Sequence, residues 1–135
     1  GTLNVPGIVG FTKALELSQK IDKEKIYSLR KFFVEQTKNL GGQINGHPTE
    51  VLPHIVSVSF PGKEALHLLQ KLEENNIIAS VGSACTSKTI EPNHVLKSIG
   101  LSNSLSKGTI RFSLSKETTK EDLNKVVGVL EKIVK

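Results

Sequence analysis

The sequence predicts a mixed α/β domain of the two-layer, α+β kind, in which a short sheet is covered by helices. Three observations predict it. Two segments, "IVSVSF" at 55–60 and "TIRFSL" at 109–114, alternate strictly between apolar and polar residues, as half-buried strands do. Several stretches repeat apolar residues at helical spacing. Gly and Pro punctuate the boundaries between them. A length of 135 residues suits one ordinary domain.

The elements follow in order. Phe11, Ala14, Leu15, Ser18 and Ile21 recur at helical spacing, which predicts a helix from after Pro6 to about Lys20. A second helix places Ile26, Leu29, Phe33 and Leu40 on one face and ends at Gly41-Gly42. The turn-rich "GQINGHPTEVLP" reads as a short strand with a loop. In the next strand Val56, Val58 and Phe60 face one way and Ser57 and Ser59 the other, until Pro61-Gly62 stops it. Leu66, Leu69 and Leu72 mark a third helix, and "IIASV" a short strand. Pro92 suits the first turn of a helix through Ile99, with Gly100 past its end. In the last strand Ile110, Phe112 and Leu114 face inward, opposite Thr109, Arg111 and Ser113. Thr118 to Glu121 spells a capping box for a final helix striped by Leu123, Val126, Val127, Leu130, Ile133 and Val134.

Composition excludes several classes. Hydrophobic residues make up 37% and charged residues 23%, a globular rather than disordered profile, and no apolar run approaches a membrane span. The formal charge of +5 comes from scattered lysines, with only Arg30 and Arg111 as arginines and 4% aromatics. That pattern lacks the basic stripe and stacking platforms of a nucleic-acid binder. A single cysteine excludes an intrachain disulfide framework and leans toward a reducing compartment. Four scattered histidines show no metal-ligand spacing with it. Met is absent, so Gly1 reads as an internal start and the chain as a piece of a longer protein.

Cys85 lies in "SVGSACTSK", among small residues that predict a mobile, solvent-facing loop. A thiolate there suits a nucleophile; an incidental surface thiol fits the same composition, and the nearest histidine, His94, is not adjacent. Arg111, on the polar face of its strand, offers a planar fork that matches a carboxylate; a surface arginine on an edge strand reads equally well. "GTLNV" places backbone N–H groups and the Thr2 hydroxyl just before a helix, where a phosphate or a plain N-terminal cap would sit.

In order, "GTLNVPGIVGFTKAL", "HIVSVSFPG", "GSACTSKTIEPNHVLKSIGL" and "TIRFSLSKETTKEDLN" resemble the C-terminal part of NifS/IscS-type cysteine desulfurases, over essentially the whole chain. The resemblance implies the small C-terminal domain of a fold-type-I, aminotransferase-like (class V) enzyme. Residues 1–21 would be a helical segment from the junction with the large domain, and 22–135 the small domain, with a catalytic-cysteine loop at 82–91. It implies a pyridoxal 5'-phosphate enzyme that removes sulfur from L-cysteine, giving L-alanine. On it, Cys85 matches the nucleophile that carries the persulfide, Arg111 the arginine that pairs with the substrate carboxylate, and Thr2 a threonine that reaches the cofactor phosphate of the neighbouring subunit. The "GSACTS" form resembles the subgroup with the longer loop.

The implied partners are an iron–sulfur scaffold or another sulfur acceptor, including tRNA-thiolation relays, and a second copy of the full-length chain. No direct nucleic-acid or membrane contact is implied, and the setting is cytoplasmic or another reducing compartment. The Schiff-base lysine of such enzymes precedes "GTLNV", and no lysine here matches its context. The chain alone is therefore expected to be inactive, with apolar faces exposed along its first two helices. The alternative is a sulfur-acceptor or docking module without catalysis of its own.

Overall fold

A computed structural model describes residues 1–81 and 94–135. Its elements run α1 (Val5–Ser18), α2 (Lys23–Asn39), β1 (Gln43–Ile44), β2 (Ile55–Ser59), α3 (Ala65–Glu73), β3 (Ser80–Val81), α4 (His94–Ser98), α5 (Asn103–Lys107), β4 (Thr109–Ser113) and α6 (Lys120–Val134). The four strands form one sheet in the order β1-β2-β4-β3, and every neighbouring pair is antiparallel. Strands β2 and β3 therefore run parallel to each other with β4 inserted between them. Joining two parallel strands requires a crossover, and α3 provides it. The result is a split βαβ unit, the two-layer sheet-and-helix arrangement predicted from the alternating and helical segments.

One face of the sheet carries Val56, Val58, Ile110 and Phe112, all buried. Helices α2, α3 and α6 cover that face with Leu29, Phe33, Leu68, Leu72, Leu123 and Leu130. The Phe33 ring meets Phe112 edge-on at 5.0 Å between centroids, a favoured aromatic geometry. Lys120 at the start of α6 sits over the Phe32 ring at 4.9 Å. The apolar face of α2 is thus packed, which corrects the expectation that both leading helices would lie bare. Arg30, on the same helix, is buried and donates to the Ile55 carbonyl where β2 begins. Burial holds its guanidinium below the usual arginine value, opposed by nearby Tyr27.

Helix α1 differs from all of these. It buries no residue, and Val5, Ile8, Val9, Phe11, Leu15 and Leu17 are all exposed.

Three local expectations need correction. In α3 the covered face is Ala65, Leu68 and Leu72, while Leu66 is 64% exposed; all three leucines expected on one face fit helical spacing, but packing against the sheet selects a face turned toward Leu68. The strand expected from "IIASV" is only Ser80–Val81, with Ile77 buried and Ile78 92% exposed. The capping box lies one residue later than expected: Thr119 Oγ1 accepts from Asp122 N at 3.1 Å and Asp122 Oδ2 accepts from Thr119 N at 2.9 Å. Thr118 is occupied instead in the preceding turn, where its hydroxyl accepts from Ser115 N at 2.9 Å.

The glycine stops fall as predicted. Gly41, Gly62 and Gly100 all have positive φ, the backbone that glycine adopts without strain. At Gly108 the requirement is space, because a Cβ there would run into the Phe60 carbonyl, whose own N–H bonds back to Gly108 O at 3.0 Å.

Candidate functional site

The sheet face away from the core is polar, and it is not uniformly open. The sequence pattern placed Ser57, Ser59, Thr109 and Arg111 on it, but two of them, Ser59 and Thr109, are buried. A third buried group, Asn45, follows β1 directly. Its Nδ2 donates to Ser59 Oγ at 2.9 Å and to Ser57 Oγ at 3.1 Å. Ser59 Oγ lies 2.7 Å from Thr109 Oγ1, which in turn donates to the Leu105 carbonyl at 3.0 Å. With the Thr109 proton committed to that carbonyl, Ser59 donates to Thr109. The donors thus run one way, from Asn45 through Ser59 and Thr109 to a backbone acceptor. Among the described residues no buried side-chain N or O atom lacks a partner.

The next row of the same face holds Arg111. It pairs across β2 with Ser57 and across β3 with Ser80, so hydroxyls flank the guanidinium on both sides. Directly opposed residues share a face, with Cβ atoms roughly 5 Å apart. Ser57 and Ser80 are half-buried and Arg111 is exposed. Among the described residues the guanidinium makes no hydrogen bond or ion pair. Arg111 lies on an inner strand of the sheet, so the edge-strand reading of this residue is corrected. Its row is polar, with a fork at the centre that has no anionic partner among the described residues, chemistry that suits a carboxylate or another planar anion.

Thr2 lies exposed ahead of α1. The helix is capped not by the Gly-Thr pair but by Asn4, whose side chain accepts from Gly7 N at 3.1 Å. A Cβ on residue 7 would collide with that capping side chain, which is why glycine stands there. Val5 N is taken by the Leu3 carbonyl, and Pro6 has no N–H to offer. The first-turn donors are therefore spent inside the chain. The Thr2 hydroxyl makes no hydrogen bond among the described residues, and it fits a single phosphate contact.

Cys85, with the loop expected at 82–91, lies outside the described residues, as does Pro92. The sheet leads toward that segment through Val81, which pairs with Ile110, the residue beside Arg111 on β4. Among the described residues no group of three or more His, Cys, Asp or Glu could hold a metal, and no helix is long and apolar enough to cross a membrane. Reading the sequence missed Asn45, Ser57 and Ser80 as parts of the site. The available signal was the strand alternation, which set the face but not which residue lies opposite which.

Comparison with known proteins identifies the fold. The aminotransferase class-V family matches residues 1–126. The chain belongs to that family. The cysteine desulfurase IscS of Dictyoglomus turgidum is 40% identical over 139 residues, covering 99% of this chain and 35% of its own length. The cysteine desulfurase IscS of Methanosarcina thermophila is 40% identical over 138 residues, covering 99% of this chain and 34% of its own. Among solved structures, a NifS-like protein superposes with a TM-score of 0.85 at 32% identity, covering 98% of this chain and 34% of that one. A NifS-like protein from Rickettsia africae ESF-5 gives 0.85 at 28% identity, covering 98% and 35%. The chain thus spans about a third of the length of the class-V relatives it matches.

Proposed function

We propose that the chain is part of a cysteine desulfurase, a class-V enzyme that takes sulfur from L-cysteine, releases L-alanine and carries the sulfur on Cys85. The observation that carries this reading is the Arg111 guanidinium, without a partner among the described residues and flanked by Ser57 and Ser80, in a chain 40% identical to cysteine desulfurases over 99% of its length. Arg111 receives the substrate carboxylate and orients the amino acid. Cys85 follows Val81 by four residues, and four residues of chain span at most about 14 Å.

The Cys85 thiolate attacks the sulfur of the bound cysteine. A sulfur–sulfur bond forms and the carbon–sulfur bond breaks. The released electron pair stays on carbon, which takes up a proton and departs as L-alanine. The persulfide remains on Cys85 for transfer to an iron–sulfur scaffold or a tRNA-thiolation relay. Pyridoxal 5'-phosphate, when bound, supplies the electron sink that loosens bonds around the substrate's α- and β-carbons. Of the residues present, Thr2 fits a contact to its phosphate in the neighbouring subunit of a homodimer, and no lysine of this chain is assigned to it.

Residues 1–21 form the junction with a larger domain and 22–135 the small domain; the lack of any buried residue in α1 supports that division. A cytoplasmic or other reducing setting keeps the thiol competent.

The test is steady-state alanine formation by the full-length protein carrying Arg111→Leu. Loss of a charge-assisted contact lowers kcat/KM for cysteine roughly 10- to 100-fold. An unchanged kcat/KM would mean that Arg111 does not hold the substrate.

A further inference from the structure

The donor chain behind the polar face leaves one proton unspent, at Ser57. Ser57 Oγ accepts from Asn45 Nδ2 at 3.1 Å. The second N–H of the same amide goes to Ser59 Oγ at 2.9 Å, so Asn45 is held as a donor to both serines. Asn45 is itself buried, and both N–H groups of its amide are spent on the two serines. With an acceptor site of Ser57 filled from behind, its hydroxyl hydrogen has no acceptor among the described residues. Ser57 stands directly opposite Arg111 on the same face. Two donors, one charged and one neutral, therefore stand side by side on one face, roughly 5 Å apart at their Cβ atoms, a pairing that matches the two oxygens of a carboxylate.

We propose that Ser57 is a second donor to the anion bound by Arg111, its hydroxyl aimed by Asn45, and that it selects substrates with a free carboxylate. The inference rests on the reading of Arg111 as the carboxylate partner. Ser57 contributes to ground-state binding and takes no part in sulfur transfer, so it acts on KM and leaves kcat alone. Asn45 is a positioning residue that acts only through Ser57. The pair of donors then favours a carboxylate, with two charged acceptor oxygens, over an amino alcohol, whose single neutral oxygen is the weaker acceptor.

The experiment compares the full-length holoenzyme with its Ser57→Ala and Ser57→Thr variants. Calorimetry measures binding of L-alanine, which carries the carboxylate, and of L-alaninol, in which a hydroxymethyl group replaces it. Ser57→Ala is expected to weaken L-alanine binding about 5- to 20-fold and to raise KM for cysteine in proportion, with kcat within twofold. L-Alaninol binding is expected to weaken less than L-alanine binding, and Ser57→Thr, which keeps the hydroxyl, to bind L-alanine as the wild type does. Equal L-alanine binding by wild type and Ser57→Ala overturns the inference, as does equal weakening for both ligands. A wild type that forms no alanine from cysteine and binds none overturns the desulfurase reading, and this inference with it.

Discussion

Helices α1 and α6 are built from similar material and end in opposite situations. Both are apolar-rich and both carry a side-chain cap at the N-terminus. In α6 the stripe of Leu123, Val126, Val127, Leu130, Ile133 and Val134 falls on one side and packs onto the core. In α1, Val5, Ile8, Val9, Phe11, Leu15 and Leu17 spread around more of the helix, and none is buried. A narrow stripe is satisfied by one partner surface. A helix apolar around much of its girth needs partners on several sides, and the described residues provide none. The relatives are about three times as long, and under the proposed reading α1 sits at the junction with a larger domain.

The strongest way to break this comparison is to truncate a large aromatic in each setting. Phe33, fully buried against Phe112, changed to Ala is expected to destabilise the 135-residue chain by about 3–5 kcal/mol in urea unfolding. Phe11, 72% exposed, changed to Ala is expected to move stability by less than about 0.5 kcal/mol. In the full-length protein the Phe11→Ala change is expected to cost more, because the proposed domain junction would cover α1 there. Equal effects of the two changes in the 135-residue chain would contradict the contrast.

A finer version lies within α3. Leu72→Ala, at a fully buried position, is expected to cost about 2–5 kcal/mol, and Leu66→Ala, on the open face, less than about 0.5 kcal/mol. Both are read from denaturation midpoints at constant m-value. Similar losses would mean that the leucine spacing, not the observed packing, marks the true face.

Those leucines show what the sequence makes legible. Spacing alone establishes that 65–73 is helical, because apolar residues recur every three or four positions. It does not choose between two overlapping faces; that choice depends on where β3 and β4 lie, which is long-range information. The strands behave likewise. Alternation identified β2 and β4 and placed Arg111 and Ser57 on the polar side. It said nothing of register, so the row Ser57–Arg111–Ser80 emerges only with the antiparallel pairing. Asn45 sat within a turn-rich stretch and carried no signal of burial, since its partners Ser57 and Ser59 lie more than ten residues away. The capping box was misplaced by one residue because Thr118 and Thr119 both fit the pattern; the Ser115 turn claims the first.

A smaller effect than either core truncation concerns that cap. Thr119→Ala removes the side-chain acceptor of α6 and is expected to cost about 1 kcal/mol. Asp122 adds a pH dependence of known sign. The Thr119 backbone N–H, and then its hydroxyl, hold the Asp122 carboxyl below the usual aspartate value of 3.8. A carboxyl depressed by folding stabilises the fold above its ordinary range, and that contribution is lost as pH falls through the depressed value. Amide exchange at the start of α6 is therefore expected to hold steady relative to the core above pH 3.8 and to quicken below it. A Thr119→Ala variant keeps the backbone N–H and loses the hydroxyl, so its acid-dependent step is expected to shrink; an Asp122→Asn variant is expected to lack the step, and its persistence there would contradict the assignment of the box.

The central claim is that Cys85 carries sulfur taken from cysteine. Intact-mass analysis of the full-length protein after incubation with L-cysteine, beside its Cys85→Ser variant, tests it most directly. The wild type is expected to gain about 32 Da, one sulfur atom, that reduction removes, and the variant to gain nothing. An equal gain in the variant, or none in either protein, would contradict the account and leave the docking-module reading in its place.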